Sequence, residues 1–215
     1  LNFHSMTGAS LIGMDYYDFE EARELEGDSG YYTEQRQLGK LANLSCNYRI
    51  GGKSLSEKSF VNYDTFMTVD TGKYVVNTFC RTYPGVPNYW EDVVWEAKEK
   101  GYVEVFGGRR YKLSKWKEER WGTESSAINV PIQGAGASMK EIAIFETYKK
   151  NPQALFALDL HDANFFYVPI DGHEEICSEI DNTLNNINYT DYWGFKIPIP
   201  LPYESKFGTT FADVK

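Results

Sequence analysis

The chain has 215 residues and a formal net charge of -9, with 42% hydrophobic and 16% aromatic content. That length allows one large domain or two small lobes, and the apolar fraction allows a real core. No run reaches the roughly 18 apolar residues that a membrane span needs, and the net acidity argues against a nucleic-acid surface spread over the whole molecule.

Charge is unevenly distributed. Asp15, Asp18, Glu20, Glu21, Glu24, Glu26 and Asp28 crowd one acidic segment, whereas Arg109, Arg110, Lys112, Lys115, Lys117 and Arg120 crowd a basic one. Screening cuts off distant charge beyond about 8 Å at physiological salt, so a phosphate backbone would feel the basic run locally. The acidic run reads as a solvated face. Cys46, Cys80 and Cys177 are odd in number and widely spaced, with no Cys-x-x-Cys pair. Neither a zinc site nor a disulfide framework is indicated, and a reducing cytoplasm fits. There is no secretory signal, and the start at Leu1 rather than Met suggests a fragment that lacks its N-terminal part.

In chain order, residues 1–13 read as a short helix around Thr7–Leu11. His4 lies near its start, where a phosphate could be met. Residues 14–32 read as a loop or short helix. Next comes a helix over 33–49, with Thr33 as N-cap, Glu34 in the first turn and Gly51-Gly52 as the stop. Inside it Arg36, Lys40, Leu44 and Tyr48 recur every four residues and share one slowly drifting face. Two cations one turn apart would repel unless something anionic lay along that face. Leu44 and Tyr48 continue it with an apolar patch and a ring, so a polyphosphate at one end and a flat base at the other would suit it. A solvated amphipathic helix is the plainer reading of the same spacing.

Further helices are expected over Ser54–Phe66, capped by Ser54 or Ser56, over Thr71–Tyr83, and over Tyr89–Lys100, with Pro84-Gly85-Val86-Pro87 as a breaker. Tyr102–Phe106 and Arg109–Leu113 flank Gly107-Gly108, a two-residue hairpin signal. Residues 123–150 form a second long helical unit that Pro131 should break or kink, with Met139, Ile142, Ala143 and Phe145 as a buried stripe. Leu155–Leu160 and Phe165–Val168 read as two strands with His161-Asp162 at the tip, where a rigidly held carboxylate suits a metal. Gly172–Asn186 reads as a helix, and Phe195–Leu201 as an extended edge strand.

Arg36, Lys40, Asn43 and Tyr48 fall where the nucleotide-binding helix of the family A DNA polymerases, the DNA polymerase I type, has its motif. Leu44 stands where that family usually has Phe or Tyr, and Arg49 where a Gly usually follows the Tyr. Four further segments resemble the same family in the same order. His4, Thr7 and Gly13 match a His-x-x-Thr segment, GYVEVFGGRRYKL its Gly-Arg-Arg hairpin, Asn129-x-Pro131-x-Gln133-Gly134 its Asn-x-Pro-x-Gln-Gly segment, and His161-Asp162 its His-Asp-Glu turn. In the last of these Ala163 replaces the Glu.

The resemblance covers nearly the whole chain. It implies an α+β fold, with a helical fingers subdomain over 1–114 and the C-terminal part of a palm subdomain with an antiparallel sheet over 115–215. It implies template-directed nucleotidyl transfer from a dNTP to a primer 3′-end in DNA replication. His4, Arg36 and Lys40 would hold the triphosphate, and Leu44 and Tyr48 would pack against the nucleotide and templating site. His161 would support the primer end. Asn129 and Gln133 would read minor-groove acceptors common to every correct pair, with Arg109 and Arg110 near nucleic acid. Asp162 would be one carboxylate of a two-Mg²⁺ site whose second carboxylate lies upstream of residue 1. The implied partners are primer-template DNA, dNTPs and an N-terminal remainder, in a bacterial or infected-host cytoplasm, and the fragment alone should be inactive. The single-subunit phage-type RNA polymerases share the Arg-x3-Lys-x7-Tyr helix and the His-Asp turn. A non-catalytic DNA-binding remnant is the rival of another class.

Overall fold

The structure, a computed structural model, describes residues 1–63, 66–113, 120–161 and 163–214. It divides into two compact units, Leu1–Tyr102 with Leu113–Asn129 and Val103–Lys112 with Val130–Lys215. This grouping differs from a division after residue 114. The basic hairpin goes with the second unit, and residues 113–129 go with the first. Among the described residues no helix is long and apolar enough to cross a membrane.

The first unit is helical. Helix α1, Phe3–Ile12, is longer than expected because Asn2 caps it, its side chain accepting from the backbone N–H groups of His4 and Ser5, and Gly13 ends it in the left-handed region. Helix α2, Tyr16–Glu26, occupies the segment expected to be a loop or short helix. Its acidic residues stay outside while Phe19 is wholly buried, edge-on to Tyr32 at 5.6 Å.

Helix α3, Tyr31–Cys46, begins two residues before Thr33 and ends before Tyr48. Thr33 is not its cap. Gly30 holds that position, and the Glu26 carboxylate accepts from Tyr32 N–H at 2.7 Å from outside the helix. Helix α1 crosses α3 at Gly8 and Gly39, so closely that a Cβ on Gly39 would lie 2.2 Å from the His4 carbonyl oxygen and one on Gly8 2.8 Å from the Gln35 carbonyl oxygen. The buried face of α1 is accordingly small: Ser5, Thr7, Gly8, Ala9 and Leu11.

Helix α4 is Gly52–Tyr63 and α5 is Val69–Thr82. Gly52 therefore opens a helix rather than merely stopping one. It meets Gly72 at a second close crossing, where a Cβ on Gly72 would lie 2.2 Å from the Gly52 carbonyl oxygen. Ser54 and Ser56 lie inside α4, and the Ser56 hydroxyl donates to the Met67 carbonyl at 2.6 Å. Thr68 caps α5. Helix α6, Gly85–Lys100, starts within the expected breaker. Pro87 is tolerated there because first-turn N–H groups have no acceptor inside the helix.

Helix α7, Arg120–Lys150, is continuous through Pro131, so of the expected break or kink the break does not occur. Proline forgoes one hydrogen bond, to the carbonyl four residues back, and the turns on either side persist. The boundary between the units falls one residue before it. Lys115 and Lys117 of the basic run lie outside the described residues.

In the second unit, strands β1, Tyr102–Glu104, and β2, Arg110–Lys112, form the expected hairpin with shorter arms. Gly108 N–H donates to the Val105 carbonyl at 3.0 Å and Val105 N–H to the Arg109 carbonyl at 2.9 Å, so the loop is Phe106–Gly108, three residues rather than the expected two, with Gly107 and Gly108 at positive φ, 88° and 84°. Val105 packs on Gly134 of α7, where a Cβ would come within 2.6 Å of it. The buried face of α7 here runs Gly134, Ser138, Ile142, Ala143 and Thr147, while Phe145, expected inside, is exposed. Small and polar residues in that face hid its register from hydropathy.

Strands β3, Leu155–Leu160, and β4, Ala163–Tyr167, pair antiparallel in register Leu160 with Ala163 and Leu155 with Tyr167, with an irregularity between Phe156 and Leu158. Helices α8, His173–Asn185, and α9, Thr190–Trp193, follow. Residues 195–201 are irregular, not the expected edge strand. Pro198 and Pro200 remove the N–H groups a ladder would use.

The Gly39 crossing generates a stability prediction. Gly39→Ala should destabilise the protein by about 1–3 kcal/mol, the usual penalty for overpacking a closed contact. Gly136→Ala, inside α7 with open space around it, should be neutral or stabilising by up to about 1 kcal/mol. Thermal unfolding of both variants checks this. Equal melting temperatures would mean that α1 and α3 do not meet at Gly39.

Candidate nucleotide and nucleic-acid site

The α1–α3 crossing sets His4 beside α3. Burial, then the charges of Arg36 and Lys40, holds the His4 imidazole below its ordinary pKa, so the three residues share one electrostatic environment. Arg36 is partly exposed, Lys40 exposed and Leu44 47% exposed on successive turns of α3. Among the described residues neither Arg36 nor Lys40 is ion-paired. Glu20 on α2 is the acid that feels Arg36. Its carboxyl is held below the usual range mainly by the hydrogen bond from Arg23, with Nε to Oε1 at 2.9 Å, so its charge is already engaged.

Sequence reasoning placed Asn43 in the motif but gave it no role. Its side chain is 8% exposed and donates to the Phe3 carbonyl at 2.9 Å, while its second amide hydrogen faces His4 Nδ1 at 3.1 Å. Thr7 Oγ1 lies 2.7 Å from Asn43 Oδ1 and 2.9 Å from the Tyr83 hydroxyl. This polar cluster pins α1 to α3 immediately beside the two cations.

Tyr48 does not continue the helical face. It sits in the turn after α3, where Arg49 takes a left-handed φ of 59°, a conformation that suits glycine. The turn is held from several sides. Trp90 Nε1 donates to the Asn47 carbonyl at 3.0 Å, and Arg49 Nη1 lies 3.3 Å from Glu124 Oε2. Glu124, whose side chain is 7% exposed, also meets Lys98 Nζ at 3.5 Å. Tyr89 donates its hydroxyl to the Ile128 carbonyl at 3.0 Å, and burial, with Tyr48 nearby, pushes it up to about 12. Glu124 and Trp90 were not singled out from the sequence. Isolated acidic and aromatic residues far along the chain carry no local signal of such a contact.

Asn129 and Gln133 lie four residues apart in α7. Gln133 is exposed, whereas Asn129 is partly buried with its Oδ1 fully covered and without a hydrogen-bond partner. Arg109 and Arg110 are exposed, paired to Glu141 at 3.5 Å and Glu104 at 2.9 Å. Carboxylates thus already offset part of the basic strand's charge.

At the β3–β4 tip, His161 is exposed with a left-handed φ of 54°. Lys140 of α7 reaches it from the side: Nζ donates to Asp159 Oδ1 at 2.6 Å and to the His161 carbonyl at 2.7 Å. Neither Lys140 nor Asp159 was foreseen, because they face each other only once α7 and the hairpin are packed. Asp162 itself lies outside the described residues. Among the described residues no group of three or more His, Cys, Asp or Glu side chains could hold a metal ion. They supply no complete Mg²⁺ site, and no chemical step is derived through the metal.

The family model for DNA polymerase family A matches residues 14–213. DNA polymerase I of Lactococcus lactis subsp. cremoris is 27% identical over 222 residues, spanning all of this chain and 23% of that protein. DNA polymerase I of Deinococcus radiodurans is 24% identical over 223 residues, again all of this chain and 20% of its own length. The chain thus spans about a quarter or less of these relatives. The POL domain of Pol1 from M. smegmatis, solved in complex with DNA primer-template and dNTP, aligns with a TM-score of 0.71 over 93% of this chain and 32% of that one at 20% identity, a likeness of fold. With the family model matching from just after α1 almost to the C-terminus, the chain belongs to the family A DNA polymerases.

Proposed function

We propose that this chain is part of the polymerase domain of a DNA-directed DNA polymerase, the first unit serving mainly as fingers and the second as the C-terminal part of the palm. The observation that carries the reading is the convergence of His4, Arg36 and Lys40 on the exposed side of α3, with neither cation ion-paired among the described residues. Two unneutralised cations one helical turn apart favour a polyanion strongly, and a dNTP triphosphate fits their spacing. Leu44, next along the same face, would lie against the sugar or base, and Tyr48 at the end of α3 would border the templating position. The reaction is attack of a primer 3′-hydroxyl on the α-phosphate with pyrophosphate leaving. It depends on positioning and charge stabilisation rather than on covalent catalysis.

On this reading His161 supports the primer end. Asn129, Gln133, Arg109 and Arg110 meet the duplex, the arginines exchanging carboxylate partners for phosphates. Asp162 is one Mg²⁺ carboxylate, and its partner lies outside this chain. Leu155, Phe156, Leu158 and Leu160 all expose 42–60% of their surface on β3. An apolar strand of that kind suits cover by further sheet from the remainder of the polymerase. The chain alone is then inactive, and the complete protein works in the cytoplasm, where bacterial or phage DNA lies. Ala163 and Leu44 favour the rival, a DNA-binding remnant without catalysis.

Three outcomes test the reading in the complete protein. Asp162→Asn should abolish nucleotide incorporation and leave primer-template binding nearly intact; normal turnover would show the carboxylate misassigned. Lys40→Ala should slow incorporation on the order of a hundredfold and raise the dNTP requirement, as loss of a charge-stabilising group does, with little change in DNA affinity. A collapse of DNA affinity with unchanged dNTP dependence would make α3 a DNA-contact element instead. Leu44 lacks the hydroxyl with which Tyr at this position in the family supports dideoxynucleotide use. The incorporation ratio of dideoxy- to deoxynucleotide should therefore rise about tenfold in Leu44→Tyr, the upper range of one hydrogen bond, and stay low in Leu44→Phe. Equal ratios in all three proteins would remove Leu44 from the sugar.

A further inference from the structure

We propose that Asn43 is a positioning residue that holds His4 as a neutral imidazole with its proton on Nε2, so that His4 meets a triphosphate oxygen as an uncharged hydrogen-bond donor. The inference rests on the reading of His4, Arg36 and Lys40 as the triphosphate site.

The argument is a hydrogen count. The Phe3 carbonyl can only accept. Asn43 Nδ2 lies 2.9 Å from it and must be the amide end that faces it. Turned over, the amide would set Oδ1 against a carbonyl oxygen. The correct orientation leaves Oδ1 to accept from Thr7 Oγ1 at 2.7 Å. The Tyr83 hydroxyl can donate in turn to Thr7 Oγ1 at 2.9 Å or to the Phe3 carbonyl at 3.2 Å. Every hydrogen in the cluster then has an acceptor. The second Nδ2 hydrogen points at His4 Nδ1, 3.1 Å away, so Nδ1 must present a lone pair. A neutral ring has one nitrogen protonated, and here that nitrogen is Nε2. An imidazolium would set two donors face to face 3.1 Å apart.

The surroundings act in the same sense. Burial opposes a proton on His4 most, and Arg36 and Lys40 on α3 add to it. From α2 the acid that feels Arg36 is Glu20, which accepts from Arg23. From the end of α5 comes the neutral Tyr83 hydroxyl. The site thus divides its labour. Two side chains on α3 supply charge, and one on α1 supplies direction without charge.

The ring state is read by nitrogen NMR on the complete polypeptide labelled in histidine, with the His4 signals assigned by their loss in His4→Gln. The expected result is a neutral ring protonated on Nε2 from about pH 6 to pH 8, where an ordinary histidine would titrate. A ring protonated on Nδ1, or one that titrates near 6.5, overturns the proposal. Asn43→Asp places a carboxylate against Nδ1 and should make His4 titrate over the same range, with the neutral ring protonated on Nδ1 at the upper end and an imidazolium at the lower. With dNTP as the ligand, Asn43→Ala should raise KM about tenfold, the scale of one hydrogen bond to a charged oxygen, and change kcat much less. In Asn43→Asp the KM relative to the unaltered protein should fall as pH falls, because the imidazolium again donates from Nε2. A KM ratio independent of pH in Asn43→Asp would reduce Asn43 to a brace between α1 and α3, against the proposal. Failure of the unaltered complete protein to incorporate nucleotides would sink the polymerase reading. The NMR result, obtained without nucleotide, would stand or fall separately.

Discussion

The contact on which the first unit depends is backbone against backbone, where α1 crosses α3 at Gly8 and Gly39. No side chain separates the two helices there. Their carbonyl and amide groups approach as closely as van der Waals radii permit, and the residues flanking the crossing are fixed in consequence. His4 stands one turn before Gly8, Lys40 directly after Gly39 and Asn43 one turn beyond. A wider crossing would separate the imidazole from the two cations and break the bond from Asn43. The second glycine pair, Gly52 with Gly72, does for α4 and α5 what the first does for α1 and α3. Close packing of this kind transmits small displacements rather than absorbing them, so the geometry around His4 inherits the precision of the helix crossing.

Much of this was legible in the sequence, for reasons that differ from place to place. The four-residue repeat of Arg36, Lys40 and Leu44 reported a helical face because side-chain periodicity is a local property. Gly107-Gly108 reported its hairpin because only residues tolerant of positive φ close so tight a turn. The β3–β4 pair was legible from its aromatic runs. The failures are equally physical. Tyr48 was placed on the helix because periodicity does not register where hydrogen bonding stops, and α3 stops at Cys46. A break at Pro131 did not follow, since one absent N–H in a long helix is a local loss. The buried face of α7 was misread at Phe145 because Gly134, Ser138 and Thr147 fill that face without adding hydropathy. The Lys140–Asp159 and Arg49–Glu124 pairs were invisible for a simpler reason: each joins residues 19 or 75 positions apart, and no local pattern encodes that.

Electrostatics in the second unit follow a different logic from the first. Arg109, Arg110 and Lys140 all have carboxylate partners, whereas Arg36 and Lys40 have none among the described residues. Exposed pairs of the first kind contribute little to stability. They offset part of the positive charge of this surface. Lys140 is less exposed, and it holds a backbone carbonyl as well as a carboxylate, so it braces the β3–β4 tip rather than advertising charge.

Arg49 shows how a local backbone conformation is tied to a distant side chain. A non-glycine residue in the left-handed region carries strain on the order of 1–3 kcal/mol. Here the same side chain helps neutralise Glu124, a carboxylate almost wholly removed from water. Each residue makes the other harder to replace. Replacing Arg49 by glycine would relax the backbone and leave Glu124 to Lys98 alone. Losing Glu124 first would keep the strain and remove its compensation. The backbone conformation at Arg49 and the charge at Glu124 are thus coupled, although the two residues lie more than seventy positions apart in sequence.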